Sequence, residues 1–184
     1  METNPGQRRP VNDVCSNVRG LAGNLSDLTL ASSQYDILLL CSETLVLDMV
    51  PEFCCTVLLS RGKMPRAGGI CRDGYGAFRK PKFECGCCEM LVFRVCGVRQ
   101  NLYVFSLYRN PDLDDRIFDC LLASIAASQT EDIRDSFLFV GDLNGGHREW
   151  LSSTTTNRHG VAAAFDFATV SGCDQLACCC STDR

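Results

Sequence analysis

Glu43 and Asp142 are the two carboxylates whose neighbours suggest chemistry rather than solvation. Each comes just after a short apolar run. Glu43 follows residues 37–41 (ILLLC), and Asp142 follows residues 137–140 (FLFV) and a glycine. Two further runs end the same way: Val14-Cys15 leads to Asn17, and residues 102–107 (LYVFSL) lead to Tyr108 and Asn110. Asn144 and His147 come soon after Asp142. Strand ends hold side chains rigidly while the loops beyond leave space for a ligand, so active sites collect there. Two carboxylates with an amide oxygen are hard ligands that suit magnesium, which keeps several waters and binds substrate phosphate. Asn17 and Asn144 can orient a phosphate or a metal-bound water, and Tyr108 can donate to an oxyanion. The set fits metal-assisted phosphodiester hydrolysis, in which Mg2+ (or Mn2+) polarises a phosphoryl oxygen.

Each residue also has a plainer reading. Glu43 with Thr44 could sit at a helix start, with Ser42 or Thr44 as the cap. Gly141-Asp142-Leu143-Asn144-Gly145-Gly146 has the composition of a simple turn. Tyr108 could be a strand-end aromatic anchored in the core. What favours chemistry is that all of them follow apolar runs.

The elements that would position them follow from periodicity. Residues 37–41 form a continuous apolar run of strand length, covered on both faces. Residues 90–98 and 102–107 are two more β-rich runs, and Arg99-Gln100-Asn101 between them predicts a hairpin. Residues 113–127 predict an amphipathic helix, with Ile117, Cys120, Leu121, Ser124 and Ile125 on one face. Asp114 and Asp115 lie near its start, where the helix dipole favours acids. Further helices are expected over residues 20–32 and 161–170. Residues 61–83 are glycine-rich and predict long loops around one weak strand. Strands mixed with helices and joined by hairpins give an α+β layered sandwich.

Composition bounds the rest. With 184 residues, 46% hydrophobic and 22% charged, the chain is one globular domain rather than a disordered or collagen-like one. No apolar run approaches the roughly 18 residues of a membrane helix. The opening METNPGQRRPVN lacks the apolar segment of a signal peptide. The expected setting is intracellular, nucleus or cytoplasm, with no membrane partner. Fourteen cysteines in such a compartment stay reduced. Cys85, Cys87 and Cys88 do not follow zinc-ribbon spacing and only two histidines exist, so buried thiols are preferred to structural zinc.

Net charge is −4, yet between residues 61 and 83 stand Arg61, Lys63, Arg66, Arg72, Arg79, Lys80 and Lys82 against Asp73 alone. A basic, glycine-rich segment on an acidic body is a candidate DNA-tracking surface. Ordinary solvated loop charges are the plainer alternative.

Four motifs resemble, in order and rough spacing, the endonuclease/exonuclease/phosphatase superfamily. They are Ser16-Asn17-Val18-Arg19-Gly20-Leu21, Ser42-Glu43-Thr44, Ser106-Leu107-Tyr108-Arg109-Asn110-Pro111 and Gly141-Asp142-Leu143-Asn144-Gly145-Gly146-His147. His147-Arg148-Glu149-Trp150-Leu151, with Asn157-Arg158-His159-Gly160 and Asp166-Phe167, is similar to the apurinic-endonuclease-like domain of LINE-type, non-LTR retrotransposons. The superfamily's phosphatases are a weaker match because they would need different substrate loops.

The resemblance implies a four-layer, DNase I-like α/β sandwich and a magnesium-dependent endonuclease that nicks DNA. It makes Glu43 the metal ligand and Asn17 the residue that orders the metal shell. Tyr108 contacts the phosphate, Asp142 positions the attacking water, Asn144 holds the phosphate, and His147 has a structural part near the site. Full-length relatives carry a reverse transcriptase region on the same polyprotein. Two departures follow. No Ser-Asp-His motif is present, since His147 and His159 are the only histidines and neither follows an aspartate. Ala67-Gly68-Gly69-Ile70-Cys71-Arg72 also looks too short for the family's longer apolar strand. The expected organisation is a flexible segment 1–13, a C-terminally truncated domain over 14–176 and an unrelated tail 177–184. Activity is then expected to be weak, with a degenerate, non-catalytic nucleic-acid-binding module as the alternative.

Overall fold

Parallel neighbours dominate the placement of the candidate residues. The computed structural model describes residues 13–17, 37–41, 55–59, 67–72, 76–86, 88–96, 100–109, 116–129, 135–142 and 161–173. Strands β1 (Asp13–Asn17), β2 (Ile37–Cys41), β3 (Cys55–Leu59) and β4 (Ala67–Arg72) form one sheet in the order β1-β2-β4-β3. Strands β5 (Ala77–Arg79), β6 (Glu89–Val95), β7 (Leu102–Tyr108) and β8 (Ser136–Asp142) form a second, in sequence order. β1 runs parallel to β2, and β7 parallel to β8. The other pairings are antiparallel, including the expected β6–β7 hairpin.

Parallel strands need a long crossover. Helix α1 (Arg116–Gln129) supplies it between β7 and β8. Helix α2 (Val161–Ser171) lies beside α1. The helix expected over residues 20–32, between β1 and β2, lies outside the described residues. So does the start of the helix expected from residue 113. Among the described residues, no helix is long and apolar enough to cross a membrane.

Two cores share the second sheet, and strand alternation divides them. Leu91, Phe93, Val95 and Val104 meet Ile37, Leu39 and Cys71 between the sheets. Met90, Val92, Tyr103, Phe105 and Leu107 meet Ile117, Phe118, Leu121 and Phe167 beneath the helices. Burial on both faces is why β7 is apolar throughout. Stacked and tilted ring pairs, Phe105 with Phe139 at 4.8 Å and Phe118 with Phe167 at 5.9 Å, knit β7, β8 and the helices together. Each such pair contributes about 0.5–1.5 kcal/mol beyond its area. The α1 face includes Phe118 as well as the expected Ile117, Leu121 and Ser124. Its buried serines are satisfied internally: Ser124 Oγ donates to the Cys120 carbonyl and Ser128 Oγ to that of Ile125, both at 2.8 Å.

One sequence expectation changes. Residues 61–83 were expected to be loops around one weak strand, but they hold β4, β5 and a 3₁₀ turn at Pro81–Phe83. β4 is a six-residue strand flanked on both sides by β2 and β3. Glycine is a poor strand former because it has no side chain to pack, and here that lack is the point. A Cβ on Gly69 would stand 3.0 Å from the Phe93 ring of the facing sheet. The cysteines divide as well. Cys71 is buried outright, whereas Cys85, Cys88, Cys96, Cys120 and Cys173 are only partly covered.

Candidate active site

The relative direction of the two sheets decides whether the chemical residues can meet. Ser106, two residues before the end of β7, donates through Oγ to the Gly68 carbonyl at 3.3 Å. Gly68 is registered with Leu40, one residue before the end of β2. Farther back, Phe93 is registered with Val104 and abuts Gly69, which is registered with Leu39. Passing from Leu39 to Leu40 thus follows the same direction as passing from Val104 to Ser106. β2 and β7 advance together, each with its parallel neighbour. The C-terminal ends of β1, β2, β7 and β8 therefore lie at one end of the sandwich, between sheets spaced about 10 Å apart.

Those ends carry the residues singled out in the sequence. Asn17 closes β1 and is registered with Cys41, the last residue of β2, two positions before Glu43. Tyr108 closes β7 and is registered with Asp142, which closes β8. On its other side Tyr108 is registered with Glu89, the first residue of β6. Tyr108 is half-buried and shares the alternating set of Val104 and Ser106, the set that faces the first sheet. Glu43, Asn144 and His147 lie outside the described residues.

Gly141 explains why a glycine precedes Asp142. Its φ is +148°, a region essentially closed to side-chain-bearing residues. A Cβ there would fall 1.8 Å from the Leu107 carbonyl oxygen. β8 thus presses against the β7 backbone one residue before Tyr108 and Asp142 align. The turn-like composition beginning at Gly141 misleads at its first two residues, because both belong to β8. Arg109, passed over in the sequence, is fully buried immediately after Tyr108. A buried guanidinium is costly unless it is held by neighbours, so this end of β7 is tightly specified. The signal lay in a cation directly following an apolar strand.

The basic segment divides in two. Arg79 donates from Nε and Nη2 to the two carboxylate oxygens of Glu84, at 2.8 and 2.9 Å. That hydrogen bonding, opposed by partial burial and helped by the Glu84 charge, raises the guanidinium pKa further. Glu84 Oε1 also accepts the Val92 amide at 3.3 Å. Arg79 is therefore engaged in holding the β5 edge. Lys82 is exposed and lies 4.7 Å from the centre of the Phe83 ring, while Lys80 is half-buried. Lys80 donates its amide to the Val92 carbonyl, about 10 Å along β6 from Glu89 at strand rise. Arg61, Lys63 and Arg66 lie outside the described residues.

No protein-family model matches the sequence, and no curated protein sequence does. Solved structures match it in architecture. The endonuclease domain of TRAS1, a telomere-specific non-LTR retrotransposon, superposes with a TM-score of 0.64 over 87% of this chain and 70% of that one, at 15% identity. The chain has the DNase I-like fold of that domain. It is similar as well to D. rerio TDP2 complexed with a single-strand DNA product, with a TM-score of 0.51 at 18% identity over 74% of this chain and 62% of that one. Truncated C. elegans TDP2 gives 0.53 at 11% identity, over 76% and 61%. The chain thus spans less than two thirds of either TDP2 chain. The described residues supply three layers of the expected four: helices, second sheet and first sheet.

Proposed function

We propose that the chain is a metal-dependent phosphodiesterase of the retrotransposon endonuclease type, acting on DNA at the shared strand ends. The observation that carries this is the gathering of four parallel-running C-termini at one end, with Tyr108 registered opposite Asp142. The neighbours in fold support it: one is a retrotransposon endonuclease and another was solved with a DNA product. The donor chemistry fits a hard divalent cation, since carboxylates and amide oxygens suit Mg2+ or Mn2+. Bound there, such an ion polarises a phosphoryl oxygen.

Glu43, two residues past β2, is the assigned metal ligand, with Asn17 ordering the shell. Asp142 orients the attacking water and takes its proton. Tyr108 donates to a phosphate oxygen, and Asn144 fixes the phosphate. His147 supports the turn behind them. Lys80 and Lys82, with Arg61, Lys63 and Arg66, offset backbone phosphates, which makes binding weaken with salt.

The sequence contains no Asp-His pair of the kind that stabilises the transition state in this superfamily. Losing one such donor costs on the order of 10²–10³ in rate. Nicking of supercoiled plasmid by the 184-residue chain is expected to be barely above the Mg2+-free control. Fusion to the remaining part of a TRAS1-type domain is expected to raise it, and Glu43→Ala in the fusion to remove it. Nicking by the fusion that is unchanged by Glu43→Ala and by chelation would reject the site. Salt-sensitive DNA binding with no nicking in either form would leave the non-catalytic module as the better reading.

A further inference from the structure

Cys85 and Cys88 take no part in the strand-end site. Their Sγ atoms are 3.8 Å apart, at C-x-x-C spacing. Both are partly covered by the helix-side core that contains Met90, Val92, Tyr103 and Phe105. The chain on either side is fastened. Phe83 is buried, and Glu84 is gripped by Arg79 and the Val92 amide. Cys88 runs directly into Glu89, the first residue of β6. The two sulfurs are thus held as neighbours by elements that do not depend on either of them. A disulfide bond is about 2.05 Å long, so the two sulfurs already lie within about 2 Å of bonding distance.

We propose that Cys85 and Cys88 are a vicinal dithiol that closes to an intramolecular disulfide by exchange with a small disulfide of the oxidised-glutathione class. One cysteine thiolate attacks a sulfur of the small disulfide, whose S–S bond breaks and releases one small thiolate. The second cysteine then attacks the protein-bound sulfur of the mixed disulfide and expels the other. Two protein thiols lose two electrons and two protons, and the small disulfide becomes two thiols. The bridge forms beside Glu89, which is registered with Tyr108, so the modification sits next to the strand end that bears the tyrosine. It does not depend on the phosphodiesterase reading.

The test uses the full chain equilibrated with reduced and oxidised glutathione in varied ratio, then alkylated and digested with trypsin. Cleavage after Lys82 and Arg94 places Cys85, Cys87 and Cys88 in one peptide. The expected product is that peptide lighter by two hydrogens and alkylated only at Cys87. It should appear at an oxidised-to-reduced ratio at least about tenfold lower than any bridge elsewhere in the chain. Cys87→Ser should leave closure unchanged, and Cys88→Ser should abolish it. Alkylation of Cys85 and Cys88 at every ratio would overturn the proposal, as would glutathione retained on each separately. Stoichiometric zinc bound by the reduced chain would overturn it too, since thiolates on tetrahedral zinc, with Zn–S bonds of about 2.3 Å, are spaced about as these are.

Discussion

Asp135 and Asp142 bracket the same strand, β8, and the two ends of that strand are built for different purposes. At the first end one carboxylate oxygen does the tying, while Asp135 Oδ2 is buried with no hydrogen-bond partner among the described residues. Asp135 is 7% exposed, and its Oδ1 accepts both the backbone amide and the side-chain amide of Asn101 at 3.0 Å. The Asn101 carbonyl in turn accepts the Ser136 amide at 3.0 Å, and Gln100 Nε2 donates to Ser136 Oγ at 2.8 Å. This lock ties the β6–β7 hairpin to the start of β8. At the other end the backbones do the tying, through the close approach of Gly141 to Leu107, and four strands stop together. Asp135 secures the fold through hydrogen bonds; Asp142 is, under the proposed function, the aspartate that serves the reaction.

The largest expected effect falls on activity at the open end. In a fusion that nicks plasmid, Asp142→Ala should lower the rate by on the order of 10²–10³ with little change in melting temperature. Asp135→Ala in the same fusion should leave nicking within a few-fold of the parent. Equal losses of activity from the two substitutions, at unchanged stability, would break the contrast.

Gly141→Ala comes next and is a stability effect. The added methyl meets backbone rather than a movable side chain, at a φ that alanine avoids. A loss of about 2–4 kcal/mol is expected in urea unfolding. Asp135→Ala should cost less, about 1–2 kcal/mol, because it removes both hydrogen bonds of the part-buried Asn101 amides. The smallest effect concerns the β5 edge. Arg79 is 29% exposed in its ion pair with Glu84, so after discounting for solvent screening Arg79→Met should cost about 1 kcal/mol or less. It should scarcely alter DNA affinity, whereas Lys80→Ala and Lys82→Ala should weaken binding and flatten its salt dependence. A larger affinity loss from Arg79→Met than from the lysines would return that arginine to the DNA surface.

Much of the second sheet and of α1 was legible in the sequence because its apolar runs are long and periodic. β2, β7 and β8 stand where residues 37–41, 102–107 and 137–140 predict, each lengthened by at most three residues. β4 was legible only as a weak, short segment, because strand propensity measures side-chain packing and its Gly68-Gly69 pair packs by having none. β3 lay hidden in a stretch noticed only for its adjacent cysteines. The placement of Asn17, Tyr108 and Asp142 at strand ends could be read from local pattern. The register of Tyr108 on Asp142 and the direction shared by β2 and β7 could not, since both arise from pairings between distant segments. The Asp135–Asn101 lock joins residues 34 apart and leaves no local trace. Arg109 reads as an ordinary surface cation until β7 is seen to carry it inward.

The two sheets differ in more than strand order, and the difference bears on how the chain reaches this state. In the second sheet every strand lies beside its sequence neighbour, β5 to β8 in turn. The first sheet inserts β4 between β2 and β3. Sequence separation does not divide the sheets, since β7 and β8 pair across 34 residues and β1 and β2 across 24. Burial does: β6 and β7 are covered on both faces, so the second sheet with α1 is the expected nucleus, and the first sheet docks on it when Phe93 settles against Gly69. Native-state hydrogen exchange should find the slowest amides in β6 and β7, with β1 and β2 opening at lower free energy. Tyr108 and Asp142 then belong to the early-folding unit, while Asn17 and the approach to Glu43 arrive with the later one. The strand-end site comes into being only when the second stage of folding is complete.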